Sequence, residues 1–434
     1  MDIYSCQEAF GASDKTTSAM RDAISQWYSL YYRDTVENGE DPCQRIAYTV
    51  VSKLVRTVFA EYAATAEKEA AQKLLNAIDP VREQAVAQAL VGGECYLKPW
   101  ISGNGFAFTV VPRNSILIFS RDARGEPVDV GTMERSTLGN AYYTLLERRT
   151  VDEKGYLTIE NRLYRSLNAD SLGSPVLLSS HPDYKELADC YTYEAPVGSV
   201  GLVRVKTPML NCVDGSADGV SVYAAAVGLI RALDQNEHQL SGEFERGQSR
   251  VFVSSDLLDG KTLKDNLFVG LDEAPDRVGI TLFSPELRSK AYLERKQEYL
   301  RNLESLIGIK RGLLCDANLD QRTATEISAS QTEHALTVMD FQNMWSRAVE
   351  SCVELCRCLA GLYSLDAIEG AVRFDWGNGV LYDEEKRWED YKQMVTMGLI
   401  APEVALGWRF GMRAETPQER QVIRQMYMPT EVDP

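Results

Sequence analysis

Along the first part of the chain apolar residues return every four positions. Ile46, Val50, Leu54, Val58 and Tyr62 make one slowly drifting stripe, which predicts an amphipathic helix. Residues 1–88 read as helical, with a break at Pro80 and a second short helix around VREQAVAQAL. From Gly92 the period changes to two. GGECYLKPWISGNGFAFTVVP predicts two strands joined at Ser102-Gly103-Asn104-Gly105, a turn rich in residues that tolerate positive φ. AYYTLLERRTVDEKGYLTIENRLYRS repeats the pattern around Asp152-Glu153-Lys154-Gly155, and SVGLVRVKTP supplies a last strand ending at Pro208. Residues 92–208 should form a mostly antiparallel sheet region packed on the N-terminal helices, so the fold class is α+β.

Beyond a turn at Asp214–Gly219 the period returns to helical. GVSVYAAAVGLIRALDQNEHQLSGEFERG predicts one helix of roughly 40 Å, striped by Val222, Ala226, Leu229, Leu233 and Leu240. A mixed segment, Ser249–Pro285, follows with short strands at VFVSS and ITLF. ELRSKAYLERKQEYLRNLESLIG then predicts a second helix, striped by Leu293, Lys296, Leu300, Leu303 and Ile307. The pair reads as a helical hairpin with a small domain inserted at its tip. GIKRGLLCDANLDQR is a loop, which Gly308 and Gly312 should loosen and which should end at a capping box formed by Thr323 and Glu326. The next stripe runs unbroken through Ile327, Gln331, His334, Val338, Phe341, Trp345, Ala348, Cys352, Leu355, Leu359 and Leu362. It predicts a helix of roughly 60 Å, long enough to cross between domains. The tail reads as a strand, AVRFDW, two short helices at EEKRWEDYKQMVTMGLI and PEVALGW, and a charged end.

At 434 residues the chain should divide into two to four domains. No apolar run approaches a membrane span, and the N-terminus lacks a basic segment followed by an apolar one, so a cytoplasmic origin is expected. The nine cysteines are odd in number and form no CxxC pair, which favours buried thiols over a disulfide framework. Cys352 and Cys356 would share a helix face while Cys358 points elsewhere, so packing is preferred over a metal site. Three scattered histidines, with no HExxH, no GxxxxGK[ST] and no GxGxxG, give no catalytic reading and call for no metal or cofactor. Two decoys fail on detail. Asp214–Gly219 starts like a calcium loop, but its twelfth position is Ala225, and helix capping by Asp218 or Ser216 is the preferred reading. Gly219–Tyr223 imitates a nucleophile elbow without the closing glycine.

Four segments, taken in order, resemble phage portal proteins: ALVGGECYLKPW, LLERRTVDEKGYLTIENRLYRS, the helix running into VFV, and RTATEISASQTE. The likeness is nearest to portals of long-tailed phages infecting Gram-positive hosts and covers nearly the whole chain. It implies an α+β subunit with a helical and β-rich wing (1–215), a first stem helix (216–248), a small α/β clip (249–285) and a second stem helix (286–308). A tunnel loop (309–322), a long wing helix with a return strand (323–385) and a short helical crown (386–434) would follow. It further implies a non-enzymatic, homo-oligomeric ring of twelve at one capsid vertex in the virion, assembled in the host cytoplasm with major capsid and scaffolding proteins. Double-stranded DNA would pass through the channel. In this family the tunnel loop faces DNA, here through Lys310, Arg311, Asn318 and Arg322. The clip meets the large terminase subunit and later the head–tail adaptor; Phe252, Asp256, Asp259, Phe268, Asp272 and Asp276 are the expected docking residues.

The net charge of −17 is compatible with that picture. Twelve copies would carry roughly −200, a wall that repels a duplex and keeps it from adhering, while a few loop cations still reach phosphates. The cations of the loop have a second reading, as helix caps or partners of Asp316 and Asp320. An alternative of another class is a non-viral scaffold or adaptor using the long helices as a coiled-coil platform, but the stripes lack the flanking charges of a heptad pattern.

Overall fold

In a computed structural model the chain is described over residues 3–32, 44–247, 250–254, 268–271, 280–283, 286–316, 324–377, 384–414 and 416–428, with backbone alone for 250–254, 268–271, 280–283, 324–331 and 384–387. It divides into two compact units: residues 1–58 with 64–373, and residues 59–63 with 374–434.

The first unit opens with helices α1 (Ile3–Phe10), α2 (Ser18–Tyr32) and α3 (Ile46–Val58), a short strand β1 (Ala63–Ala66), then α4 (Glu69–Ile78) and α5 (Arg82–Gly92). The α3 stripe is buried as the spacing requires: Ile46, Val50, Leu54 and Val58, joined by Ala47, Val51 and Val55. The helix stops at Val58, so Tyr62 lies beyond it. Pro80 sits in a 3₁₀ turn, Asp79–Val81, between α4 and α5.

Two antiparallel sheets follow. One has the order β10-β2-β3, from β2 (Glu94–Ser102), β3 (Gly105–Pro112) and β10 (Val203–Lys206). The other runs β4-β5-β6-β7-β8, from β4 (Ile116–Arg121), β5 (Pro127–Leu138), β6 (Ala141–Val151), β7 (Leu157–Ser166) and β8 (Ser174–Val176), with β9 (Cys190–Thr192) also on β7. The β2–β3 hairpin closes at the predicted turn, Ser102 opposite Gly105, with Gly103 at φ 59°. At the β6–β7 turn the Asp152 carboxylate accepts from the amides of Lys154 and Tyr156. β4 and β5, which the sequence reading passed over, supply much of the core. Leu117, Phe119 and Met133 pack with Cys6 and Phe10 of α1, while Ile116, Ile118 and Val130 pack with Tyr96, Val111, Val200 and Leu202.

The helix expected from Gly219 begins eight residues later: α6 is Val227–Arg246, about 30 Å long rather than 40. Residues Val220, Val222, Tyr223 and Ala226 are buried as a coil and a 3₁₀ turn instead, and the Tyr223 hydroxyl donates to the Trp27 carbonyl at 2.9 Å. Between the hairpin helices lies a three-stranded sheet with β11 (Arg250–Ser254) central, antiparallel to β13 (Ile280–Phe283) and parallel to β12 (Phe268–Leu271), a strand the sequence reading missed. α7 (Ser289–Ile307) returns, and α8 (Ala324–Leu362) runs 39 residues, about 58 Å. Its stripe from Val338 through Leu359 is buried. Thr323 lies outside the described residues, so the expected cap does too. β14 (Val372–Asp375) is the strand expected at AVRFDW.

The second unit holds α9 (Glu384–Thr396), α10 (Pro402–Arg409) and a third helix, α11 (Pro417–Tyr427), where a charged end was expected. Thr416 and Glu419 form a complete capping box at its start, with Pro417 at the first helical position. Ile423 of α11 packs at Gly407, the Phe410 and Tyr427 rings stack at 4.2 Å, and Glu403 pairs with Arg424. Tyr62 lies against Trp376 with centroids 4.6 Å apart.

Candidate functional site

Where the first unit's sheet meets the start of the hairpin, two backbones touch. A Cβ on Gly93 would lie 2.2 Å from the Gly219 carbonyl oxygen, and one on Gly219 would lie 2.2 Å from that of Gly93. Around this crossing a charge cluster is buried. Glu94, with no exposed surface, pairs with Arg113 at 3.0 Å and Arg204 at 2.5 Å and accepts from the Gly219 amide at 3.2 Å. Asp218 pairs with Arg113 at 3.3 Å and Arg121 at 2.5 Å. Burial raises the Glu94 pKa, but Arg204 and Arg113 outweigh that and hold it at about 2. A charge cluster this deep is stable only because nearly every lone pair has a donor. It fixes the direction in which the chain leaves the sheet for α6.

α6 and α7 then run antiparallel. Asn236 donates to the Tyr292 carbonyl at 3.1 Å, Glu237 pairs with Lys296 at 3.2 Å, and Arg288 clasps both Glu243 oxygens at 3.0 and 2.7 Å. Apolar burial runs along one face of each helix: Ile230, Leu233 and Leu240 on α6, and Leu300, Leu303 and Ile307 on α7. Leu293, expected in the buried stripe, is half exposed, as is Phe244.

The segment after α7 is a built turn. Gly308 caps α7 in the left-handed conformation at φ 75°, close against Thr337 of α8. The Leu313 amide donates to the Lys310 carbonyl at 3.2 Å, with Gly312 at φ 90°. The fully buried Glu304 carboxylate accepts from the amides of Gly312, Leu314 and Cys315 and from the Cys315 thiol. Lys53 of α3 donates to the Leu313 carbonyl, and the Asp316 amide donates to Gln297. Gly308 thus serves as the helix cap and Gly312 as a turn residue. Lys310 and Arg311 are both exposed on this turn. Burial, helped by the Lys310 charge, pushes the His334 pKa down, and its Nδ1 is buried without a hydrogen-bond partner among the described residues.

Of the expected site residues, Lys310 and Arg311 are adjacent on that turn. Asn318 and Arg322 lie outside the described residues, as do Asp256, Asp259, Asp272 and Asp276. Phe252 and Phe268 sit on neighbouring parallel strands, Phe252 opposite Val269 and Phe268 opposite Val251. Asp218 and Ser216 cap no helix: α6 starts after Ala226, and the Asp218 carboxylate is taken up by arginines. Asp214 accepts from Thr17 and Asn211, so its oxygens are satisfied within the protein. The Ser221 hydroxyl is buried and donates to the Leu90 carbonyl at 3.0 Å. Cys352 and Cys356 are buried in the α8 face, and burial pushes both thiols up in pKa. Sequence reasoning missed Glu94, Arg113, Arg204 and Glu304. Single charged residues within apolar strand or helix patterns were their signal, unreadable without the partners, which lie up to 125 positions away.

Compared with known proteins, residues 46–413 match the family model for phage portal protein, SPP1 Gp6-like. A search of curated proteins returns no match. Among solved structures, similarity is found to a chain from "Neck of native GTA particle computed with C12 symmetry", at TM-score 0.51 and 12% identity, covering 93% of this chain and 96% of that one. A chain from "Neck of empty GTA particle computed with C6 symmetry" matches at TM-score 0.51 and 12% identity over 94% and 97%. A third, from "Virion of native gene transfer agent (GTA) particle", gives 0.50 and 11% over 95% and 99%. The family match, residues 46–413, takes in the hairpin with its inserted strands, the basic turn and α8: the chain belongs to the phage portal protein family.

Proposed function

We propose that twelve copies of this portal protein close head-to-tail into a ring at one capsid vertex, with α6 and α7 around a channel for double-stranded DNA. The neck structures of C12 and C6 symmetry support a cyclic homo-oligomer, and the virion neighbour supports a place in the particle. Assembly would take place in the host cytoplasm beside major capsid and scaffolding proteins. The sheet at the hairpin tip would dock the large terminase subunit during packaging and the head–tail adaptor afterwards, through Phe252, Phe268 and the acidic residues Asp256, Asp259, Asp272 and Asp276. The ATP-driven step belongs to terminase, since this chain carries no phosphate-binding glycine loop.

The observation that carries the DNA reading is the exposed Lys310–Arg311 pair on a fixed turn in a chain of net charge −17. Phosphate contacts made by such cations are individually weak and screened by salt, which suits a surface that must release DNA as it moves. Asn318 and Arg322 are the other two loop residues assigned to DNA in this reading. Replacing Lys310, Arg311 and Arg322 together with Ser should leave rings and empty capsids normal but alter the length or retention of packaged DNA. Wild-type packaging and retention in those particles would overturn the reading.

A further inference from the structure

Between the second hairpin helix and α8 one side chain organises the whole described part of the connecting loop. Glu304 is buried completely, yet it carries no cationic partner at salt-bridge distance among the described residues. Its carboxylate is satisfied by the loop itself. Oε1 accepts from Leu314 at 2.5 Å and Cys315 at 3.1 Å, while Oε2 accepts from Gly312 at 3.2 Å and the Cys315 thiol at 3.0 Å. The same residue's backbone carbonyl accepts from Gly308 and Ile309 at 3.1 and 3.0 Å. Amides turned onto one anion form a concave nest, a motif that holds charge by converging backbone dipoles. The loop is wrapped around Glu304 on one side and held by Lys53 of α3 on the other.

Lys310 and Arg311 are the outward-facing residues of the turn so created. Ile309 before them and Cys315 after them are buried, at 4% and 5% exposure, and act as feet. Glycine at 308 and 312 is required by positive φ, so the backbone path is set by conformation and anchor together.

We propose that Glu304 is a positioning residue: it holds the Lys310–Arg311 turn in the one place from which the pair meets the duplex. This rests on the DNA reading of that pair, and the anchoring itself can be tested without it. Glutamine at 304 is nearly isosteric but turns an N–H₂ toward backbone N–H donors, so it breaks the nest without emptying the space.

The experiment uses the assembled ring and amide hydrogen exchange at residue resolution, with peptide-resolved maleimide labelling of Cys315. In wild type the amides of Gly312, Leu314 and Cys315 should be as protected as the last turn of α7, and Cys315 should resist labelling. Fast exchange there overturns the proposal without any mutant. In Glu304→Gln, protection at those three amides should fall about tenfold and labelling should rise, with the sheet unaffected. Unchanged protection overturns it. Cys315→Ser keeps a donor to the carboxylate and should retain the protection; loss of it there would shift the anchor from Glu304 to the thiol and overturn the proposal. In particles, Glu304→Gln should change DNA retention in the same direction as Lys310→Ser with Arg311→Ser. If the double variant alters retention and the released loop of Glu304→Gln does not, positioning is irrelevant and the proposal falls. If the double variant has no effect, the DNA reading fails, while the anchoring is still decided by exchange.

Discussion

At the sheet end of the first unit, between residues 92 and 219, carboxylates and guanidinium groups are buried together and two glycine backbones touch. Toward the far end of α6 and α7 Arg288 stands largely in water while its partner Glu243 is mostly covered, and the apolar Leu293 and Phe244 are half exposed. Both regions use ion pairs, but the physics differs. A buried pair stripped of one member leaves an uncompensated charge in a medium that cannot solvate it, whereas an exposed pair is replaced by water and salt. The buried cluster at the sheet end therefore finds its counter-charges within one chain. The Arg288–Glu243 pair toward the far end is instead open to solvent on its Arg288 side.

The sharpest way to break that contrast is at the glycine crossing. Gly93→Ala puts a Cβ 2.2 Å from a carbonyl oxygen at φ 83°, and neither backbone can retreat without moving β2 or the turn before α6. The expected outcome is loss of soluble folded protein, more than about 4 kcal/mol. Gly103→Ala is the control: its φ of 59° is also positive, but the space around it is open, so a loss of about 1 kcal/mol is expected. Similar melting temperatures for the two variants would show that the crossing does not constrain the fold.

Next in size is Glu94→Gln, which leaves Arg113 and Arg204 without their shared anion and should cost about 3–5 kcal/mol in denaturant titrations. The wild-type protein should show the same dependence through pH. The folded pKa of Glu94, about 2, lies below the unfolded carboxylate value, so its contribution is present above about pH 4.5 and is lost as pH falls toward 2. Glu147 is also held at about 2, by Arg149 and Lys98 against its own burial, and titrates in the same window. Glu94→Gln should thus flatten the acid limb only in part. An acid limb identical to wild type would mean that Glu94 is not the charge that matters.

How much of this could be read beforehand follows from range. The stripes of α3 and α8 and the two Gly-containing hairpin turns are local patterns, and they appear where periodicity and turn chemistry put them. α6 was drawn too long because Val222 and Ala226 keep a helical spacing while being buried as coil, held by the Tyr223 bond to Trp27. β5 was missed because Gly131 interrupts its apolar run, and that glycine is where Phe10 of α1 packs, 2.7 Å from a would-be Cβ. The capping box at Thr416-Pro417-Gln418-Glu419 was legible and passed over in favour of charge. At the site, composition located Lys310 and Arg311. The Glu304 nest that fixes them depends on three backbone amides eight to eleven residues away, a geometry that no residue pattern encodes.

The smallest effect should come from the far end. Arg288 clasps Glu243 through two nitrogens, the geometry most favourable for such a pair. Arg288 is 70% exposed, however, so its truncation opens Glu243, only 15% exposed in the pair, to water, and salt already screens much of the attraction. Asn236 still ties α6 to the Tyr292 carbonyl, and Leu240 and Leu300 stay buried. Arg288→Ala should therefore leave the melting temperature of the chain unchanged within error at physiological salt, and raise amide exchange only in the first turn of α7. A loss approaching that of Glu94→Gln would mean that the far end is governed by buried electrostatics after all. The distinction between a self-contained sheet end and a solvent-governed hairpin would then fail.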